Sequence, residues 1–323
     1  MSAMKSSDLQ LNRRAARLCQ TLIASADEFQ VKTTRSAAGT LLIDCGIEVA
    51  GSEAAAVLLA RICLADLGEV AVNRNELSRW PLVEVSTEEP VAACMAAQYA
   101  GWEVEGGDYF AMGSGPMRAA AAREPLLASI GFQEQANECV GVLEASNLPP
   151  EEVCRDIAGK CGITPERLTL LVAPTRSLAG TLQIVARSVE TTLHKLHELG
   201  FDLGRIIRGC GAAPLPPLVD DDFAAIGTTN DAILYGADVK LEVHGDDQTL
   251  QELGPSVPSS SSKDYGRPFG EILANFNNDF YQVDPLLFSP ARVQLVNVES
   301  SNSWTYGEIN NQVLEQSFRG GEK

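Results

Sequence analysis

The chain has 323 residues, 45% of them apolar and 21% charged, enough for one large or two ordinary domains with their own cores. Its 43 acidic residues against 25 basic ones give a formal net charge of −18. Such a surface repels nucleic-acid backbones and anionic membranes, so an anionic small molecule would need a local basic pocket.

The N-terminal segment has no apolar core of the signal-peptide kind, and its basic cluster, Arg13, Arg14 and Arg17, reads as an exposed helix face. Residues 8–28 have helical spacing, with Leu11, Ala15, Leu18, Leu22 and Ile23 in step. A short strand is expected at 40–44, then a helix from Gly51 capped by Gly68. The most apolar stretches, such as 54–64, are too short and too broken by charge to span a bilayer. Neither export nor membrane insertion is expected, which makes the cytoplasm the expected compartment.

Leu82 to Val85 reads as a second strand, followed by an Ala-rich helix over 90–99. Residues 106–118 read as a Gly-rich loop leading into another Ala-rich helix, and 147–151 as a turn. Leu168 to Val172 is a buried strand that Pro174 ends. From Ser177 to Leu199 the apolar residues Leu178, Leu182, Val185, Val189, Leu193, Leu196 and Leu199 step by three or four, predicting a helix capped by Ser177 and Gly200. Residues 209–217 read as a loop, Ala232–Tyr235 and Val239–Val243 as strands, 254–270 as a long polar loop and 293–298 as a last strand. Strands alternating with helices predict an α/β protein of two lobes, residues 1–150 and 151–323. The C-terminal strand has the option of returning to the first lobe.

Eight cysteines include no C-x-x-C pair, the closest two being Cys154 and Cys161, and there are three histidines, His194, His197 and His244. His194 and His197 lie three apart on the expected helix but lack further ligands at short spacing, so no metal site is expected. The thiols read as buried apolar groups in a reducing compartment.

Gly113-Ser114-Gly115-Pro116 leaves backbone N–H groups open ahead of a helix, which suits an anion or planar ring as well as an ordinary turn; Arg118 follows as an anion partner or a salt-bridge residue. On the 177–199 helix Gln183, Arg187, Glu190 and His194 form one polar stripe. Arg187 and Glu190, three apart, are either a solvated ion pair or, if that face is covered, an acid–base pair able to orient water. Thr228-Thr229-Asn230-Asp231 is a turn or helix cap, or a hydrogen-bonding edge for a heterocycle. The run Asp220 to Asp222 reads as a solvated loop. No G-x-S-x-G elbow and no dinucleotide fingerprint is present.

The segments YFAMGSGPMRA (109–119), APTRSLAGTLQIVARSVET (173–191), GTTNDAILYGADV (227–239) and DPLLFSPARV (284–293) resemble the methenyltetrahydromethanopterin cyclohydrolase family, as do ARICLADLGEV (60–70) and DYGRPFGEI (264–272). The resemblance implies reversible hydrolysis of the cyclic methenyl bridge of the pterin to its formyl derivative, without metal or redox cofactor. It implies a two-lobed α/β homotrimer with the pterin in a cleft between lobes, serving formaldehyde oxidation or methanogenesis. The family's catalytic arginine and glutamate match Arg187 and Glu190 inside VARSVE: Glu190 would deprotonate the attacking water and Arg187 would hold that carboxylate. Gly113, Ser114, Arg118, Ser177, Thr229 and Asn230 fall in matching blocks and are expected at the pterin or its tail. The alternatives are a non-catalytic pterin carrier of the same fold and, against the missing Gly fingerprint, a nicotinamide-dependent oxidoreductase.

Overall fold

A computed structural model describes residues 9–74, 78–277 and 282–319. The start of the first expected helix, at residue 8, lies outside the described residues. The fold is mixed α/β, with two six-stranded sheets. The chain divides into two compact units, residues 1–68 with 92–183 and residues 69–91 with 184–323. Residue 150, where one boundary was expected, falls inside the first unit. The C-terminal strands lie in the sheet of the second.

Chain order begins with helices α1 (Leu11–Ala24) and α2 (Ala26–Phe29), strands β1 (Lys32–Arg35) and β2 (Leu41–Asp44), and α3 (Glu53–Cys63). Ser52 caps α3 by accepting from the Ala55 N–H. The expected cap at Gly68 is not where the helix ends. Ala65 and Asp66 take the left-handed conformation instead, and Arg61 reaches Asp66 at 2.7 Å. Gly68 opens β3 (Gly68–Asn73), which precedes β4 (Leu82–Thr87). The Ala-rich segment Val91–Gln98 is wound as a π-helix, and the next N–H, that of Tyr99, bonds five residues back to the Cys94 carbonyl.

The expected Gly-rich loop at 106–118 is mostly a hairpin of β5 (Trp102–Gly106) and β6 (Tyr109–Ser114), turned by Gly107 at φ +59°. Short helices α4 (Met117–Ala121) and α5 (Pro125–Ser129) follow, then β7 (Cys139–Glu144), α6 (Glu151–Lys160) and β8 (Leu168–Ala173). The first sheet has the order β1-β2-β8-β7-β6-β5, with β2, β8 and β7 parallel. Its core joins Leu42, Val104, Leu143, Ile157, Leu168 and Leu170.

The helix expected over 177–199 is two helices, α7 (Leu178–Val185) and α8 (Ser188–Glu198). Next come β9 (Ile206–Pro214), α9 (Asp222–Gly236), β10 (Asp238–Val243), α10 (Asp247–Leu253), α11 (Phe269–Asn275), β11 (Arg292–Asn297), β12 (Ser303–Gly307) and α12 (Asn311–Arg319). Residues 209–214, expected in a loop, continue a strand, paired with both β4 and β10. Ala232–Tyr235, expected as a strand, is the last turn of a helix that Asp221 caps, through a 2.9 Å bond from the Ala224 N–H. The second sheet runs β12-β11-β10-β9-β4-β3, and α8 packs on β9 and β10.

Candidate active site

Ser177 starts α7 as expected: its Oγ accepts from the Gly180 N–H at 3.0 Å and donates to the Pro174 carbonyl at 2.7 Å. The helix stops at Val185 and restarts at Ser188, with Arg187 in the capping position at φ −89°, ψ 9°. The Arg187 N–H bonds to the Ile184 carbonyl, a tighter turn that ends one helix, and the Thr191 N–H bonds to the Arg187 carbonyl to begin the next. Gly200, at φ +78°, closes α8.

The break puts Arg187 and Glu190 in the first turn of α8 rather than mid-helix. There the positive end of the helix dipole suits a carboxylate at Glu190. Arg187 is 8% exposed and Glu190 5%. A solvated helix face with one ion pair is therefore not what this stripe is. Buried charge carries a desolvation cost of several kcal/mol per ion, so two such residues one turn apart mark a place where charge is used or firmly held. Farther along, half-buried His194 lies 3.9 Å from Glu198, and burial pushes its imidazole below the ordinary range. Gln183, the first member of the stripe, is buried in the first unit and accepts from the Cys63 thiol.

The other expected binding residues divide by how their polar atoms are spent. In the first unit, Gly113 is packed so that a Cβ would meet the Trp102 carbonyl at 3.0 Å and the Met117 methyl at 3.1 Å. Ser114 is buried, 4.0 Å from the Cys63 sulfur. The N–H groups around the GSGP turn go to the fold: Gly115 to the Ala97 carbonyl, Arg118 to Gly115 and Ala119 to Pro116. Arg118 is fully buried. Its guanidinium forks onto Glu124, donates to the Met95 carbonyl at 3.0 Å and lies over the Tyr99 ring. Between the two roles sequence left open, its observed partners are those of a salt-bridge residue.

In the second unit, Thr229 donates to the Ala225 carbonyl at 2.7 Å and is fully buried inside α9. Asn230 is half-buried and donates to the Ile226 carbonyl at 2.8 Å. Its neighbour Asp231, which sequence read with Thr228–Asn230 as a turn, a helix cap or a hydrogen-bonding edge for a heterocycle, is 1% exposed and accepts from the Phe269 N–H and the Ser317 hydroxyl. No sequence pattern marks it, because its partners lie 38 and 86 residues away.

Among the described residues, no group of three or more His, Cys, Asp or Glu is placed to hold a metal ion. No helix among them is long and apolar enough to cross a membrane. None of the eight cysteines forms a disulfide, seven of them are buried, and burial raises Cys19 and Cys45 well above the ordinary thiol range. At those two positions burial disfavours the thiolate.

The family profile Cyclohydrolase (MCH) matches residues 10–318. The chain belongs to this family. It is 47% identical over 307 residues to a methenyltetrahydromethanopterin cyclohydrolase of Xanthobacter autotrophicus, covering 94% of this chain and 91% of that one. A protein of the same name from Rhodopirellula baltica is 46% identical over 289 residues, 87% and 86% of the two chains. One from Methanosarcina barkeri is 37% identical over 315 residues, 96% and 98%. The cyclohydrolase family thus accounts for both units, and the VARSVE segment with its buried pair lies inside the matched span.

Proposed function

We propose that the chain hydrolyses the methenyl bridge of methenyltetrahydromethanopterin to the formyl derivative, reversibly, with Glu190 as general base and Arg187 holding that carboxylate. The bridging carbon is the centre of an amidinium-like cation. Water adds its oxygen to that carbon and Glu190 accepts one of its protons, which is the proton released overall. The second moves from the adduct's hydroxyl to the ring nitrogen whose C–N bond breaks, leaving the formyl group on the other nitrogen. The carbon is already electrophilic, so the reading assigns no metal Lewis acid and no redox cofactor. A nearby carboxylate also favours the cationic substrate over the neutral product.

The observation that carries this reading is the burial of Arg187 and Glu190 together in the first turn of α8, within a chain of this family. Asn230 keeps a proposed binding role on α9, whereas Arg118, Ser177 and Thr229 are proposed to support binding through the fold rather than by touching the pterin. Gly113 and Ser114 are proposed to do the same through close packing. The proposal extends to a cytoplasmic homotrimer that serves pterin-linked one-carbon metabolism, formaldehyde oxidation or methanogenesis by host.

The test is the methenyl-pterin chromophore. Purified chain, treated with a chelator and given no nicotinamide, is expected to bleach it catalytically. Stoichiometric binding without bleaching would make the chain a carrier instead.

A further inference from the structure

Strand β9 reads IIRGCGAAP, and its buried positions alternate through Gly209, Gly211 and Ala213 beneath α8. Neither Gly209 nor Gly211 has a positive φ, so backbone conformation does not require glycine at either. Space does. A Cβ on Gly211 would stand 2.3 Å from Ser188 Oγ and 3.2 Å from both Ser188 Cβ and Val189 Cγ2. One on Gly209 would stand 2.6 Å from Val189 Cγ1. The Ser188 hydroxyl is fully buried and makes no hydrogen bond, so it sits there as bulk pressed against the strand. A buried hydroxyl with no partner costs free energy, and close seating of the helix is what it accompanies here.

Ser188 and Val189 are the two residues between Arg187 and Glu190. We propose that the glycine notch in β9 sets the height and tilt of the first turn of α8, making Gly209 and Gly211 positioning residues for the Arg187–Glu190 pair. The inference rests on the catalytic reading of that pair. A Cβ at either glycine must push the turn outward, because packed interiors have no slack to absorb it. Displacement of a catalytic group by about 1 Å is enough to cost on the order of 100-fold in rate.

The experiment compares Gly211→Ala with the double variant Gly211→Ala/Ser188→Ala, in steady-state hydrolysis of methenyltetrahydromethanopterin beside the unmodified chain. Removing Ser188 Oγ leaves the new Cβ no neighbour in this group nearer than 3.2 Å. The expected result is a kcat reduced by about tenfold or more in G211A with KM little changed, and substantial recovery of kcat in the double variant. A merely structural defect also lowers apparent kcat at unchanged KM by lowering the folded fraction, so kcat is divided by the folded fraction read from urea denaturation under assay conditions. A structural defect leaves kcat per folded molecule unchanged, whereas mispositioning lowers it. Should G211A fail to fold, Gly209→Ala with and without Val189→Ala puts the same question at the neighbouring contact. Unchanged kcat per folded molecule in the single variants, or a double variant as slow as its parent, overturns the proposal. An unmodified chain that does not hydrolyse the pterin removes the catalytic reading, and the positioning role falls with it.

Discussion

Ser317 donates a 2.6 Å hydrogen bond to Asp231, tying the C-terminal helix α12 to the middle of α9. The other carboxylate oxygen accepts from the Phe269 N–H at 2.8 Å, so one buried side chain joins three helices. Burial is the main cause that pushes Asp231 up, to about 7, with the charge of Glu271 adding to it and the two hydrogen bonds opposing. An ordinary unfolded aspartate titrates at about 4.

The folded carboxyl holds its proton more tightly than the unfolded one. Its contribution to stability is therefore complete below about pH 4 and is lost as pH rises through about 7, by about 4 kcal/mol at most. Asp231→Asn, which mimics the protonated form, is expected to match the unmodified chain near pH 5 far better than at pH 8, where it should be the more stable. Urea denaturation at both pH values checks this. A stability difference that does not change with pH contradicts it.

Arg118 is fully buried and forks onto Glu124, which is itself 14% exposed. Replacing Arg118 with Met strands the carboxylate and the Met95 carbonyl, at an expected cost of about 3–5 kcal/mol. The same change with Glu124→Gln should recover part of that loss. Denaturation midpoints decide. A surface-like effect below about 0.5 kcal/mol would mean the pair is not structural.

Lys195 on α8 donates to Ser261 Oγ at 3.3 Å and to the Leu286 carbonyl, and burial lowers it to about 8. Here the folded state binds its proton less tightly than the unfolded one, so this group's contribution to stability rises with pH between about 8 and about 10. Lys195→Met is expected to lose that rise, which thermal unfolding at pH 8 and pH 9.5 measures. An identical slope in both proteins contradicts it.

Where hydrophobic period and end signals agree, the fold is legible in the sequence. Strand β8, the Ser177 cap and the Gly200 stop follow from local chemistry alone. The break at Ala186–Arg187 is not legible, because an apolar stripe that runs straight through it keeps helical step. Strand β9 looks like a loop because its glycines answer to α8, an element elsewhere in the chain. Ala232–Tyr235 looks like a strand because a short apolar run has no period of its own. The Asp221 cap that would have settled it sits in an acidic run that reads equally well as solvated loop. The pair Arg187 and Glu190 is visible as a stripe, but its burial comes from tertiary structure.

Proton transfer from the attacking water to Glu190 is probed by Glu190→Gln. Gln keeps the shape and hydrogen-bonding reach of the side chain but cannot accept that proton. Pre-steady-state and steady-state bleaching of methenyltetrahydromethanopterin, with binding of the methenyl pterin measured separately, should show turnover reduced by about 100-fold or more while the pterin still binds. Turnover equal to that of the unmodified chain would remove Glu190 from the chemistry.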